Sequence, residues 1–161
     1  MQEPKNRDEA LRTIVGQTLP KLQQVINEAG IDGAEAKLCV EDNYPYIISK
    51  SHQYGRHFAL DAGIETSWIG YPGHPEGAQI PTATIRNLTL GENFRRRGIG
   101  SRIVRIWEKT LSEHGITSFT ASKISNEDAV KFWKKQGYQI PDEEAWKQIP
   151  YWMYKTIEKT I

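Results

Sequence analysis

The strongest constraint on the fold lies between residues 79 and 111. There a β-branched run passes through a loop rich in glycine and arginine and enters an amphipathic helix. Gln79 to Leu90 reads as a long strand, and Ile99, Ile103, Ile106, Trp107 and Leu111 recur on one helical face, with Gly115 as the stop. Thr117 to Ser122 returns to a strand pattern. Ser125-Asn126-Glu127-Asp128 then has capping-box form ahead of Ala129, Phe132 and Trp133, with Lys134 and Lys135 in the last turn and Gly137 as the cap. Tyr138-Gln139-Ile140 and Tyr151 to Ile157 read as two closing strands.

Upstream, Leu11, Ile14, Val15, Thr18, Leu22, Val25 and Ile26 step by three and four residues and give one apolar stripe. Pro20 falls inside it, and proline is comfortable only in the first turn of a helix. The pattern therefore predicts two helices, 7–18 and 20–29, ended by Gly30. Short β-branched or aromatic runs follow at Ala36 to Val40, Tyr46 to Ile48, His57 to Leu60 and Ile64 to Ile69, before the long strand from Gln79. Turn clusters at 41–43, 51–55 and 70–77 separate them and suggest an antiparallel meander. There is no repeat, low-complexity tract or linker. Residues 1–161 read as a single mixed α/β (α+β) domain, with a helix pair at 7–29, a strand meander at 35–90, a half carrying the chemistry at 88–140 and a closing strand at 151–157.

Composition narrows the function classes. With 161 residues, 38% hydrophobic and 25% charged, the chain can bury one core and need not be disordered. No apolar run approaches the roughly 18 residues of a membrane helix, and Met1-Gln2-Glu3-Pro4-Lys5 has no apolar stretch behind it to make a secretory signal. The single cysteine, Cys39, excludes an internal disulfide and a thiolate zinc cage, which fits a reducing cytoplasm. Lys and Arg total 21 against 20 Asp and Glu, so no global field draws the chain onto nucleic acid. His52, His57, His74 and His114 are too scattered to propose a metal.

The loop Gly91-Glu92-Asn93-Phe94-Arg95-Arg96-Arg97-Gly98-Ile99-Gly100 carries the chemistry. Unpaired amides and the positive dipole end at a helix start make an anion site, and glycine lets a phosphate approach the backbone. Arg95, Arg96 and Arg97 add charge for phosphate oxygens. The commoner phosphate readers do not fit. A P-loop needs Gly-Lys-Ser/Thr after its four-residue gap, and a Rossmann turn needs a third glycine where Ile103 stands. A basic surface turn capping a helix is the plain alternative for the isolated loop.

Arg95-x-x-Gly98-x-Gly100 resembles the signature of the GNAT superfamily, the acyl-CoA-dependent N-acetyltransferases. The family's second element, N-x-x-A-x-x-F-Y-x-x-x-G-F, is similar to Asn126, Ala129, Phe132, Trp133, Gly137 and Tyr138, and its final strand is echoed by Trp152-Met153-Tyr154-Lys155-Thr156-Ile157. The match covers residues 80–157. The family's usual first strand, before the N-terminal helices, is not visible. The resemblance implies a mixed, mostly antiparallel sheet flanked by helices and splayed between the strands at 80–90 and 117–122, with 88–140 as the CoA-binding half. Arg95, Arg96, Arg97, Gly98, Ile99, Gly100 and Ser101 would hold the diphosphate of acetyl-CoA. Leu88 and Leu90 would bond pantetheine through their backbones, and the Leu88 N–H would serve as oxyanion donor. Asn126 would bond the pantetheine arm, and Trp133 would stand at the cofactor site. The acceptor amine would attack the thioester directly, with no metal.

Two departures bear on the catalytic groups. The family's tyrosine acid falls at Trp133, whose indole does not release a proton at neutral pH. Ser122, Ser125, a nearby tyrosine or water are the substitutes, and a thiol pKa near 8.5 makes thiolate a tolerable leaving group. Some members place a glutamate base near Thr84, but residues 78–91 hold no carboxylate, which leaves Glu65, Asp61, His57 or water. By strand parity Arg86 shares a face with Thr84, Leu88 and Leu90 and is a candidate for an anionic group of the substrate; a salt-bridged or edge arginine is the alternative. Asn126 also reads as a first-turn polar residue, Trp133 as a core aromatic, and the loop 71–77 as an acceptor-side lid or a plain hairpin loop. The expected acceptor is a small-molecule or protein amine, and a homodimer is left open. The rivals are a catalytically silent acyl-CoA-binding regulator and an acetyltransferase of aminoacyl-tRNA.

Overall fold

Six strands form one sheet in chain order: β1 (Lys37–Glu41), β2 (Tyr44–Ser51), β3 (Phe58–Ser67), β4 (Ile80–Leu90), β5 (Ser118–Ser122) and β6 (Trp152–Thr156). The structure is a computed structural model and describes residues 3–31, 33–41, 44–51, 58–67, 80–124, 126–141 and 152–157. All neighbouring pairs are antiparallel except β4–β5, whose parallel pairing is bridged by helix α2 (Ile99–Ser112). The mixed, mostly antiparallel α+β sheet expected from the sequence is present. Helices α1 (Glu3–Glu28) and α2 pack against each other and onto the sheet, and α3 (Glu127–Lys135) follows β5.

One helix replaces the expected pair at 7–29. Pro20 lies inside α1, where it removes an N–H and costs about 3 kcal/mol. Its ring is exposed, while Leu11, Val15, Thr18, Leu22, Val25 and Ile26 are buried on both sides of it. Each large apolar side chain so buried is worth about 1.5–3 kcal/mol, so the shared face outweighs the proline. Gly30 still ends the helix as expected, with the Ile31 N–H donating to the Ile26 carbonyl at 3.2 Å and the Gly30 N–H to that of Asn27 at 3.1 Å. Gln23 then pins the exit, accepting from the Ala36 N–H at 2.7 Å and donating to the Ala34 carbonyl at 3.3 Å.

The meander has fewer, longer strands than its apolar runs suggest, because β3 carries straight through Asp61-Ala62-Gly63. His52, His57, His74, Ser125, Tyr151 and the loop 71–77 lie outside the described residues. Tyr138 to Ile140 forms only a bridge, with Gln139 and Tyr154 exchanging backbone bonds of 2.7 and 2.9 Å.

Two features of β4 bear on the expected splay. Opposite β3, Asp61 faces Asn87 and Ala62 faces Ile85, which leaves Arg86 unpaired as a β-bulge. Opposite β5, the ladder runs from Thr82–Ser118 to Ile85–Ala121 and stops there, while β4 continues to Leu90. A bulge bends its strand and sharpens the local twist, and here it falls at the first residue beyond the ladder. The β4–β5 ladder thus ends one residue before β5 does, and β4 runs on from Arg86 to Leu90 without a β5 partner, which is the side on which the sequence-based reading expects a splay.

Candidate active site

Beyond β4 the chain reaches the start of α2. Gly98, at φ 76° and ψ 7°, is the residue before the helix, a left-handed conformation that L side chains adopt only at a cost. Arg96 takes φ 62°, also left-handed. The first helical bond is donated by the Arg102 N–H to the Gly98 carbonyl at 3.0 Å, so the amides of Ile99, Gly100 and Ser101 precede it and have no helical partner. No side chain caps them, and the first turn has no acid. At α3 the opposite holds. Asn126 Oδ1 accepts from the Ala129 N–H at 2.8 Å, and Glu127 and Asp128 complement the dipole. One helix seals its own N-terminus; the other leaves it without a side-chain cap, with Arg95, Arg96 and Arg97 just before it. Arg95 Nε donates to the Leu90 carbonyl at 2.8 Å and ties the loop to the end of β4. Gly100 allows a close approach: a Cβ there would lie 3.1 Å from the Phe132 ring and 3.3 Å from Leu90 Cδ1.

The cap of α3 lies one residue beyond the position expected from the sequence. Asn126, not Ser125, is the N-cap, and its carboxamide oxygen is committed to that bond. Trp133 is 6% exposed and packs edge-on against Phe132 and Tyr138, with centroids 5.1 and 4.8 Å away. It is a core aromatic, the plainer of its two readings. Tyr138 is no free acid either, since its hydroxyl donates to Glu108 Oε2 at 3.0 Å in a buried network. Lys155 Nζ completes that network, reaching Glu108 Oε1 at 2.7 Å and the Gln136 carbonyl at 2.8 Å, and so joins α2, the end of α3 and β6.

On the face of the sheet away from α1 and α2, a second cluster surrounds the bulge. The parity argument for Arg86 holds for Thr84, which pairs with Gly63, but fails for Leu88 and Leu90, because the extra residue inverts the alternation beyond it. Leu88 and Leu90 pair with Leu60 and Phe58 and pack toward the core, while Arg86 turns to the opposite face. Its Nε and Nη2 donate to the two oxygens of Asp61 at 3.2 and 3.1 Å, and its guanidinium lies 4.4 Å from the Tyr44 ring centroid and 5.1 Å from that of Tyr46. Tyr44 in turn rests on Gly63, where any Cβ would fall 2.6 Å from its Cζ. The Tyr44 hydroxyl is buried and has no hydrogen-bond partner among the described residues, and burial pushes its phenol pKa above the ordinary value. Glu65, two residues along β3 from Gly63, is half-buried, and burial raises its carboxyl above the usual range against the pull of Arg86. Thus Arg86, Asp61 and Glu65 come together, joined by Tyr44, Tyr46 and Gly63, which no sequence motif marks. Tyr44-x-Tyr46 places both rings on one strand face, but nothing in the pattern announces the bulge that brings Arg86 to them.

The match to known proteins falls on the same half of the chain. Residues 77–147 fit the family described as FR47-like protein. That segment, 71 of 161 residues, holds β4, the Arg95–Gly100 loop, α2, β5 and α3. The fold is that of the GNAT acetyltransferases. A curated relative, the tRNA(Met) cytidine acetyltransferase TmcA of Aeropyrum pernix, is 26% identical over 98 residues; they make up 61% of this chain but only 14% of that protein. Among solved structures, Naa20 of Chaetomium thermophilum in complex with a bisubstrate analogue overlaps at TM-score 0.50 with 20% identity, covering 71% of this chain and 66% of the other. Naa50 of Arabidopsis thaliana, solved with the bisubstrate analogue CoA-Ac-MVNAL, overlaps at 0.45 with 22% identity over 62% and 65%. At 20% identity the likeness to Naa20 is one of fold alone. No helix among the described residues is long and apolar enough to cross a membrane, and no group of three metal-ligating side chains occurs among them.

Proposed function

We propose that this chain is a GNAT-type acyltransferase, which moves an acyl group, acetyl in the first instance, from acyl-CoA to a primary amine by direct attack in a ternary complex in the cytoplasm. The observation that carries the reading is the coincidence of two openings. The β4–β5 ladder ends at Ile85–Ala121, and the uncapped amides of Ile99, Gly100 and Ser101 lie just beyond β4. A long ligand with a diphosphate at one end and an amide-bearing arm at the other fits both. Bound acyl-CoA would supply the thioester carbonyl that accepts the amine. The chain's own part is to hold the diphosphate at 95–101, bond the arm along the backbone of Leu88 and Leu90, and present the Leu88 N–H to the carbonyl oxygen.

The cluster on the far face would receive the acceptor. Arg86 is already neutralised by Asp61, so it serves to position the Tyr44 and Tyr46 rings rather than to bind a substrate anion. Asp61, holding a guanidinium by both oxygens, is a poor base; Glu65 has no such clamp among the described residues, and burial raises its carboxyl, which makes it the stronger base of the two. The unpartnered Tyr44 hydroxyl offers the amine a hydrogen bond. With Trp133 buried, the thiolate leaves without a dedicated acid, which its pKa of about 8.5 permits. The acceptor is a small-molecule or protein amine.

The test is calorimetry with CoA and acetyl-CoA, followed by thiol release over a panel of amines. Binding that weakens in an Arg95→Ala/Gly98→Ala variant, with thiol release from at least one amine, supports the proposal. Tight binding without thiol release would make the chain a silent acyl-CoA module. Salt-sensitive binding of tRNA, with release only in its presence, would favour an RNA-borne acceptor.

A further inference from the structure

Among the described residues, β1 is an edge strand with no neighbour on its outer side. It leaves a row of N–H and C=O groups unpaired, the usual template for another strand. It also carries the large apolar side chains that the described surface exposes, Leu38 at 36% and Val40 at 45%. Cys39 between them is a free thiol, half-buried. Soluble proteins commonly blunt such an edge with a proline, a bulge or an inward charge. Lys37-Leu38-Cys39-Val40-Glu41 has none of these, only one charge at each end and of opposite sign.

That order of residues specifies a partner. Turned end for end about Cys39, the strand lays Lys37 against Glu41, Leu38 against Val40 and Cys39 against itself. Side by side in the parallel sense, each lysine would face a lysine and each glutamate a glutamate, which is unfavourable for directly opposed residues. Lys37 has no ionic partner among the described residues, and Glu41 accepts only a long 3.4 Å bond from the Tyr46 hydroxyl. We propose that β1 pairs antiparallel with β1 of a second copy about a two-fold axis at Cys39. The pairing joins two six-stranded sheets and covers Leu38 and Val40 with their symmetry mates. Such an isologous contact closes on itself and does not propagate into fibres. A five-residue strand buries less than a permanent interface does, so the dimer is reversible, with a dissociation constant of about micromolar order.

Sedimentation of the full chain over a concentration series tests this, with Lys37→Glu and Lys37→Glu/Glu41→Lys beside the wild type. The single reversal sets four like charges across the axis and weakens the dimer about tenfold or more; the double reversal restores it. Both positions are exposed, so equal thermal melts of the three proteins show that folding is not the cause. A second readout uses Cys39. Directly opposed antiparallel residues have Cα atoms about 4.5 or 5.5 Å apart, within the span a disulfide tolerates, about 4.4–6.8 Å. Diamide, taking up the two thiol hydrogens, should give a disulfide-linked dimer that Cys39→Ser abolishes. A chain that stays monomeric at all concentrations overturns the proposal. So does a dimer indifferent to the Lys37 reversal, or one that diamide fails to link, for each places the contact elsewhere.

Discussion

Replacing Gly63 by alanine probes how the sheet seats the acceptor-side cluster. The new Cβ would lie 2.5 Å from the Pro45 carbonyl oxygen, 2.6 Å from Tyr44 Cζ and 2.7 Å from Tyr44 Oη. The two phenol contacts can be relieved by swinging Tyr44 away; the carbonyl belongs to the backbone of β2 and cannot yield without moving the strand. Overpacking costs about 1–3 kcal/mol, and a backbone contact puts this case at the upper end, about 3 kcal/mol. With a urea slope of about 2 kcal/mol per molar, the unfolding midpoint falls by about 1.5 M. Because the displaced phenol no longer supports Arg86, the KM for the amine rises while the affinity for CoA is unchanged. Adding Tyr44→Ala removes two of the three collisions, so alanine at 63 costs less in that background but still something, with a coupling of about 1 kcal/mol. Urea curves for the four proteins, with calorimetry for CoA, make the comparison. If Gly63→Ala unfolds at the wild-type midpoint, or if amine KM and CoA affinity shift together, the packing argument is wrong.

Three further outcomes are expected. Glu65→Gln lowers turnover by about 10²–10⁴ and removes the limb of the pH profile on which kcat/KM rises with pH, read from initial rates between pH 5 and 9. Its stability should change with the opposite sense: burial raises the folded carboxyl above its value of 4.5, so wild-type stability falls as pH rises from there through the raised pKa, and the glutamine variant loses that slope. Lys155→Met strands Glu108 between Tyr138 and the core; breaking a buried pair costs about 3–5 kcal/mol, and Lys155→Met/Glu108→Gln recovers part of it in a thermal melt. Asn126→Ala loses about 1 kcal/mol with the cap of α3, whereas Asn126→Asp keeps the cap; a rise in the KM for acetyl-CoA in the aspartate variant would separate a cofactor contact from the capping role.

The second half of the chain is the more legible in sequence because its signals are local. The Ile99–Leu111 stripe, Gly98 and Gly115 each act within a few residues, and the structure places them as expected. Pro20 misleads for the converse reason, since what holds α1 together is burial against distant strands, which a local propensity does not register. The cap of α3 slips from Ser125 to Asn126, as both residues can accept from the backbone and only the final φ and ψ distinguish them. The acceptor-side cluster is half legible. Arg86, Asp61 and Glu65 stand out as charges in an apolar meander, but strand parity puts Arg86 with Leu88 and Leu90. A single unpaired residue reverses that assignment, and it leaves no mark in composition or periodicity.

That extra residue has a consequence for how this chain tolerates changes in length. With Arg86 deleted, Ile85 and Asn87 become neighbours and keep their partners Ala62 and Asp61, so every side chain of β4 stays on its present side and the ladder with β3 becomes regular. The truncated protein should therefore fold. What disappears is the bend beside the last rung of the β4–β5 ladder, together with the guanidinium that holds Asp61 and the Tyr44 and Tyr46 rings. One codon thus separates a strand that carries an organised cluster from one that does not, and a chain shortened there would keep its scaffold while losing the arrangement around Asp61.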